Sequence, residues 1–312
     1  MSVSEKNFER KEFQEGIYAH GLPFSEILSI NLDDLLERID NKKASCIILD
    51  GLMGEGKTTL AVEIAEYIEK VRQRKIDVVR TDGEYFYSSQ SLDLSKQLSM
   101  GGEEFQEKLQ LCVDSKLHVI IYDEAGDFSK RGAITQFNQR LNRIFQTFRA
   151  FKILVIINLP LFNILDNDLF LQGIPRLLLN CNDRNKRQGN FRGYGLEEMY
   201  YLKHYMKSEV VPIKAYSKVT PNFRGHFLNL PSKYSRELEA ISTKSKKETL
   251  STNILKNKGL VSYYDIAKRL AKSPHTIRFK LKELKIKPTT KYKQMNYYEG
   301  GVVPLLEQAF ER

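Results

Sequence analysis

The chain has 312 residues, of which 41% are hydrophobic, enough for one large and one small domain or for two domains of moderate size. No stretch approaches the ~20 consecutive apolar residues of a membrane helix, and the charged N-terminus lacks the apolar region of a secretory signal. The three cysteines, Cys46, Cys112 and Cys181, stand too far apart to indicate a disulfide framework or a zinc site. We therefore expect a cytoplasmic protein without a membrane partner.

The net charge of +10 is concentrated at one end of the chain. Residues 232–312 contain 18 Lys and Arg against 8 Asp and Glu, whereas residues 1–231 contain equal numbers of the two signs. This asymmetry favours a neutral body with a basic appendage that binds an anionic polymer or surface. A lysine-rich tail that only keeps the protein soluble would give the same composition.

The first half of the chain, after an irregular or partly helical lead-in, alternates between helical periodicity and short apolar runs. The predicted helices are 31–43, 58–74, 91–115 with a break at its two glycines, and 135–150. The predicted strands are 44–50, 76–82, 116–127 and 152–160. Apolar strands that alternate with helices are typical of a parallel sheet covered on both faces.

The pattern changes after residue 160. Strands are predicted at 174–183 and 198–205 on either side of a basic turn, and they form a β-hairpin extension of the first domain. Residues 232–259 are polar and charged, which indicates a helical or flexible linker. The expected organisation is a lead-in (1–30), a first domain (31–231), the linker, and a compact C-terminal domain (260–312).

A phosphate-binding motif directly follows the first predicted strand. The sequence GLMGEGKT fits G-x-x-x-x-G-K-[ST], whose glycines allow backbone N–H groups to surround a phosphate. The lysine of the motif suits the β- and γ-phosphates, and its threonine hydroxyl suits Mg²⁺. The alternative is a glycine-rich turn that binds nothing. The candidate nucleotide-binding residues are Gly51, Gly54, Glu55, Gly56, Lys57, Thr58 and Thr59.

Two later strand ends carry polar residues. The strand in 116–127 ends in Asp123-Glu124, which resembles the Walker B element of P-loop NTPases. That resemblance implies that Asp123 helps Thr58 to hold the metal, and that Glu124 polarises the attacking water. Asn158 ends the next strand and resembles the polar sensor of the γ-phosphate. An acidic helix cap and an Asn-Leu-Pro turn are the structural alternatives.

The arginines are harder to assign from the sequence. Arg140, Arg143 and Arg149 lie on or near the predicted helix between Walker B and the sensor strand, where oligomeric ATPases often present an arginine finger to a neighbouring subunit. Each of them is also compatible with a solvated helix charge. The basic turn with Arg184, Lys186, Arg187 and Arg192 could follow nucleic-acid phosphates or could keep a hairpin tip soluble.

The C-terminal domain contains two short helix patterns with clear start signals. Ser262 with Asp265, and Ser273 before a proline, are typical of helix N-caps. The second helix buries Ile277, Leu281 and Leu284 in this interpretation, a β-hairpin wing follows at 288–301, and a closing helix ends the chain. This arrangement resembles a helix-turn-helix whose second helix enters the major groove.

The second helix leaves polar and basic side chains on its other faces. The hydroxyl, imidazole and cationic groups there suit contacts to phosphates and base edges. A helical protein–protein module is the alternative. The candidate DNA-binding residues are His275, Thr276, Arg278, Lys282 and Lys285.

The order of glycine motif, Asp-Glu pair and polar strand end resembles the additional-strand, catalytic-glutamate P-loop ATPases over about residues 30–160. The following GYGLEEMYYLKHY and PNFRGHFLNLP are more similar to the FtsK–HerA/Zot-like branch than to the AAA branch, which places a helical lid there. The fold expected from this resemblance is an α/β P-loop NTPase with a mainly parallel sheet and a β-hairpin extension, followed by the small winged-helix-like domain.

The resemblance implies a DNA-binding ATPase that uses ATP and Mg²⁺ to move, package or remodel DNA or protein–DNA complexes. The GTP-specificity motif NKxD is absent, because NKRQ at 185–188 lacks its aspartate. We expect a homo-oligomer from a virus, plasmid or prokaryotic chromosome, with no small-molecule substrate besides the nucleotide. The alternatives are an AAA-like replication initiator and a nucleotide-gated transcription regulator.

Overall fold

The computed structural model describes residues 20–76, 85–123, 145, 149–165, 167–182, 188–257, 259–292 and 295–311. The chain divides into two compact units, 1–239 and 240–312, and the division falls within one long helix. Among the described residues, no helix has both the length and the apolar character needed to cross a membrane.

The first unit is an α/β structure built on a seven-stranded, mostly parallel sheet. Its order is β2-β3-β4-β1-β5-β6-β7, with β2 to β5 parallel and the last two strands antiparallel. The strands are β1 (Cys46–Asp50), β2 (Leu98–Ser99), β3 (Val119–Asp123), β4 (Leu154–Asn158), β5 (Pro175–Asn182), β6 (Gln188–Tyr194) and β7 (Phe223–Leu228).

Helices cover both faces of this sheet. The helices of the first unit are α1 (Glu26–Asp40), α2 (Lys57–Arg72), α3 (Tyr85–Ser88), α4 (Leu94–Gln97), α5 (Gly102–Asp114), α6 (Asn167–Leu171) and α7 (Leu196–Ser208), with short 3₁₀ turns at Arg149–Phe151, Phe162–Ile164 and Pro212–Ser217. The long helix α8 (Ser232–Asn257) begins in the first unit and ends in the second. The strand predictions for β1, β3, β4 and β5 and the helix predictions for α1 and α2 are confirmed, with ends displaced by a few residues. The predicted strand at 76–82 and the predicted helix at 135–150 lie largely outside the described residues.

The three central strands are aligned at the edge where they end. Asn158 on β4 is the register partner of both Leu49 on β1 and Asp123 on β3. All five residues of β1 and of β4 are buried, because helices pack on both sides of them. The uniform apolar runs that predicted buried parallel strands therefore reflect two-sided burial.

The helix α2 is buried on almost every side, which its predicted amphipathic stripe did not indicate. Glu66, Glu69 and Lys70 are fully buried. Lys70 Nζ pairs with Glu66 at 3.0 Å, and Glu69 accepts hydrogen bonds from the backbone N–H groups of His118 and Val119 at 2.7 and 3.2 Å. These partners make the burial of charge tolerable, since an unpaired ion inside the protein would be very costly.

The prediction of one long helix at 91–115 was wrong. The chain forms α4, then the two-residue strand β2 parallel to β3, and then α5. Gln97, at the end of α4, donates from its side-chain amide to Glu69 Oε1 at 2.7 Å and to the carbonyl of Val119 at 2.9 Å. These long-range contacts end the first helix before the glycines that were expected to break it.

The prediction of a strand at 198–205 was also wrong, because this segment lies in the helix α7. Its buried residues Met199, Leu202 and Met206 recur at helical spacing. Tyr200 and Tyr201, whose aromatic rings favoured a strand, are exposed on the opposite side. The β-hairpin extension is formed instead by β5, β6 and β7.

The β6–β7 ribbon packs phenylalanine rings over glycines. Three cross-strand pairs combine these two residue types on one face, and they are Gly189 with Phe227, Phe191 with Gly225, and Gly193 with Phe223. The fit is close, because a Cβ atom at Gly225 would lie 2.4 Å from Phe191 Cζ and 3.0 Å from Ser25 Cβ. The glycines therefore provide the space that the rings occupy.

The second unit contains the end of α8 and a small α/β structure. A three-stranded antiparallel sheet of order β8-β10-β9 accompanies three helices. Its elements are β8 (Leu260–Ser262), α9 (Tyr263–Arg269), α10 (Pro274–Glu283), β9 (Thr290–Tyr292), β10 (Met295–Glu299) and α11 (Val302–Glu311). The predicted hairpin and closing helix are confirmed, and the region 232–257 is helical.

Replacing Gly225 with Ser should lower the free energy of unfolding by about 1–3 kcal/mol, because the new Cβ overlaps Phe191 and Ser25. The measurement is urea denaturation of the full chain. Gly101→Ser is the matched control, since no heavy atom lies within 4 Å of its Cβ position. An equal loss in both variants would contradict a packing role for Gly225.

Candidate functional site

The glycine motif forms the loop between β1 and α2, at the edge of the sheet where the parallel strands end. Gly51, Gly54 and Gly56 have φ angles of 139°, 90° and 87°, which side-chain-bearing residues rarely adopt. A Cβ at Gly51 would lie 2.4 Å from the carbonyl oxygen of Cys181 on β5. The strand–loop–helix context required by the motif is present, and the loop leads into the positive end of the helix dipole.

Lys57 folds back onto its own loop. Its Nζ donates to the carbonyls of Gly51 at 2.6 Å and Leu52 at 2.8 Å. Partial burial lowers the pKa of this ammonium, and nearby negative groups, including Asp50 and Asp123, oppose that change. The lysine is therefore held against the glycine-rich loop by two of the loop's own carbonyls.

Thr58 and Asp123 meet across the edge of the sheet. The Thr58 hydroxyl donates to Asp123 Oδ2 at 2.7 Å, although the two residues are 65 positions apart. A hydroxyl and a carboxylate side by side are a fitting oxygen pair for Mg²⁺, which is usually held by one or two carboxylates together with phosphate and water oxygens. These two residues could hold the metal of a bound nucleotide.

Asn158 lies between the other two strand ends. It is buried, and within the described residues neither its amide nitrogen nor its amide oxygen has a hydrogen-bond partner. A buried polar side chain without a partner is costly and calls for an explanation. Its register alignment with Asp123 puts these atoms beside the Thr58–Asp123 pair, where a ligand oxygen would satisfy them.

The remaining predicted site residues are placed as follows. Glu55 is half-buried in the loop, and Thr59 is buried in the first turn of α2. Arg149 begins a short 3₁₀ turn. Glu124, Arg140 and Arg143 lie outside the described residues, so their roles stay predictions.

Sequence reasoning missed a buried carboxylate network beneath the loop. Asp50 precedes Gly51 and is fully buried. It accepts hydrogen bonds from Asn180 Nδ2 at 3.0 Å, from the Phe162 backbone N–H at 3.1 Å, and from the Tyr216 hydroxyl. The only sequence signal was an aspartate at the end of an otherwise apolar strand. This network ties the base of the phosphate loop to β5 and to two 3₁₀ turns.

The candidate DNA-binding residues all lie on or just after α10. The predicted N-caps are confirmed: Ser262 and Asp265 form a capping box, and Ser273 Oγ accepts from the Thr276 N–H at 3.0 Å. Thr276 is half-buried. The exposed candidates are His275, Arg278, Lys282 and Lys285.

One prediction for this helix was wrong. Ile277 and Leu281 are buried, but Leu284 follows the end of α10 and is 40% exposed. Helical spacing overestimated the buried stripe because the helix stops at Glu283. Phe279 is also exposed, at 66%, on the solvent side of the same helix, and the Arg278 guanidinium lies 5.3 Å from the centre of the Tyr263 ring.

No protein-family model matches the chain, and no curated protein matches it.

Stability should depend on pH through Asp50. Burial raises the pKa of its carboxyl from 3.8 to about 6 against the opposing hydrogen bonds, so the folded state binds this proton more tightly than the unfolded state. The resulting stabilisation is complete below the unfolded pKa and is lost as pH rises through about 6. Between about pH 5 and about pH 7.5, the unfolding free energy of the wild type should fall by about 1 kcal/mol relative to Asp50→Asn. Urea denaturation of both proteins across this pH range measures the two unfolding free energies. If the difference between them does not change with pH, the raised pKa of Asp50 is contradicted.

Proposed function

We propose that the chain is an ATP hydrolase that works with Mg²⁺ and couples nucleotide turnover to movement, packaging or remodelling of DNA. The observation that carries the proposal is the Thr58–Asp123 hydrogen bond of 2.7 Å beside a loop whose three glycines adopt the required backbone angles. A threonine following the phosphate-loop lysine and an aspartate at the end of another strand of the same sheet are the two groups that hold the metal in P-loop NTPases.

Each residue of this site has a separable task in the proposal. The loop N–H groups and Lys57 bind the phosphates, with Lys57 exchanging the carbonyls of Gly51 and Leu52 for phosphate oxygens. Thr58 and Asp123 hold the metal, which supplies charge neutralisation at the phosphates when bound. Asn158 donates from its amide to an oxygen of the terminal phosphate, which gives its buried amide a partner.

The order of the strands supports the additional-strand group of P-loop ATPases. β4, which ends at Asn158, lies between the phosphate-loop strand β1 and the Asp123 strand β3. The antiparallel β6 and β7 beyond β5 favour the FtsK–HerA/Zot-like branch over the AAA branch, although α7 occupies part of the segment that suggested hairpins. Glu124, directly after Asp123, is proposed as the base that polarises water, which favours hydrolysis over phosphoryl transfer to another substrate.

The second unit is proposed to bind DNA through a helix-turn-helix. α9 and α10 are joined by a short segment, α10 begins at a capped Ser-Pro, and β9–β10 follows as a wing. The exposed His275, Arg278, Lys282 and Lys285 share this region with little opposing charge. Cations of this kind neutralise phosphates and release counterions, so they contribute affinity that falls with salt.

The cytoplasm of a prokaryote or of a virus-infected host is the proposed location, and a homo-oligomer is the proposed assembly. DNA stimulation of ATP turnover distinguishes the motor from a nucleotide-gated regulator, in which turnover would be slow and independent of DNA.

Lys57→Ala should reduce ATP turnover by at least about 100-fold, because it removes the positive charge that Lys57 places beside the phosphates in the transition state. The measurement is phosphate release with Mg²⁺, with and without duplex or single-stranded DNA. Lys43→Ala removes an exposed lysine before β1, at the opposite edge of the sheet, and should leave turnover unchanged.

Glu124→Gln is the second variant for this assay. It should lower DNA-stimulated turnover while the protein still binds a fluorescent ATP analogue, which separates hydrolysis from binding.

Full turnover in Lys57→Ala, with the wild-type fold verified by circular dichroism, would contradict the proposed site.

Replacing Lys282 and Lys285 with Gln should lower the slope of log affinity for DNA against log salt by about 1–2, since each lost phosphate contact removes about 0.9. Fluorescence anisotropy of the full chain with a labelled duplex measures the slope. Lys244→Gln with Lys247→Gln removes two exposed charges from α8 of the same unit and is the control. Equal slopes for the two double variants would contradict the role of α10.

A further inference from the structure

One face of the β6–β7 ribbon carries two polar cross-strand pairs that the proposed site does not use. Arg192 on β6 is directly opposite Arg224 on β7, and Asn190 is directly opposite His226. Arg224 and His226 are exposed, and the two β6 residues are half-buried. All four project from the face opposite the phenylalanine–glycine pairs, because side chains alternate along each strand.

Two arginines at directly opposite positions of a strand pair are unfavourable by themselves. Their Cα atoms stand about 5 Å apart, a separation at which like charges destabilise a sheet. The strands β5, β6 and β7 contain no Asp or Glu. In the part of the chain that the structure describes, neither Arg192 nor Arg224 forms an ion pair with a carboxylate. Among the described residues no carboxylate offsets this repulsion, and an anionic ligand would relieve it.

Both arginines lie near Tyr194, the next residue along the same face of β6, which is fully buried. Burial raises the pKa of Tyr194, and both Arg192 and Arg224 oppose that rise. Successive cross-strand partners connect Arg224 with Arg192, Arg192 with Asn180, and Asn180 with Asp50, at the base of the phosphate loop.

The ribbon beneath these residues is closely packed. Phe191 and Phe227 are buried over their glycine partners, and Phe191 packs edge-on against Phe223 with ring centres 6.1 Å apart. This packing holds the strand backbones in place before a ligand arrives, so little backbone ordering entropy is lost on binding.

We propose that this face, defined by Asn190, Arg192, Arg224 and His226, binds the phosphodiester backbone of DNA. Guanidinium groups match phosphate geometry through paired N–H donors, and amide and imidazole groups add further donors. The two polar pairs lie about 7 Å apart along a two-stranded ribbon, the kind of element that can lie along a DNA groove. The proposal rests on DNA as the partner in the proposed function, and it adds a contact surface on the first unit. An acidic protein segment is the competing occupant.

Replacing Arg192 and Arg224 with Gln in the full chain should lower the salt slope of duplex binding by about 1–2 in the anisotropy assay. The charge-preserving pair Arg192→Lys and Arg224→Lys should retain the wild-type slope. Lys42→Gln with Lys43→Gln removes two exposed charges from the same unit, before β1, and should also retain it. Should the double Gln variant fail to fold, Arg224→Gln alone, at an exposed position, should lower the slope by about 0.9.

The outcomes separate this proposal from the proposed function. An unchanged slope in the arginine variants, with a reduced slope in the Lys282 and Lys285 variant, overturns only the ribbon surface. A wild-type chain that binds no DNA overturns both. Binding of poly-glutamate that is lost in the arginine variants, with DNA binding unaffected, assigns the face to an acidic protein and overturns the proposal.

Discussion

The alignment of β1, β3 and β4 is the constraint on which the rest of the site depends. Asn158 is the register partner of Leu49 and of Asp123, so the three strands end at one level. A slip of one residue would turn Asp123 to the other face of the sheet and remove it from Thr58. The alignment is strongly specified because β1 and β4 are buried on both faces, and a shifted strand would leave apolar side chains without packing partners.

The sequence predicted those parts of the fold that depend on local pattern. Uniform apolar runs located β1, β3, β4 and β5, and Ser-initiated periodic segments located α9 and α10. Local pattern failed where long-range contacts decide the structure. β2 is only two residues long and exists through pairing with β3. The tyrosines at 200 and 201 suggested a strand, yet the burial of Met199 and Leu202 against the core makes that segment a helix.

The candidate site shows the same contrast between features set by local pattern and features set by long-range contacts. The position of the glycine-rich loop between β1 and α2 was predictable because its motif is contiguous, and that of Asp123 because it ends a buried strand. The Asp50–Tyr216 hydrogen bond joins residues 166 positions apart, so no local pattern could indicate it. The sequence placed Arg192 in a basic turn, but no local pattern connected it with Arg224. Residues 1–231 are neutral in total, and only the register of β6 with β7 brings these two cations together.

The close approach of Gly51 to Cys181 affects how this loop can be studied by mutagenesis. Any side chain at Gly51 would push against the backbone of β5, so a Gly51 variant would disturb the sheet and the glycine-rich loop together. Gly54 has no heavy atom within 4 Å of its Cβ position, and its constraint is the backbone angle alone. Loss of function at Gly54 would therefore report on loop conformation, whereas loss at Gly51 would confound binding with folding.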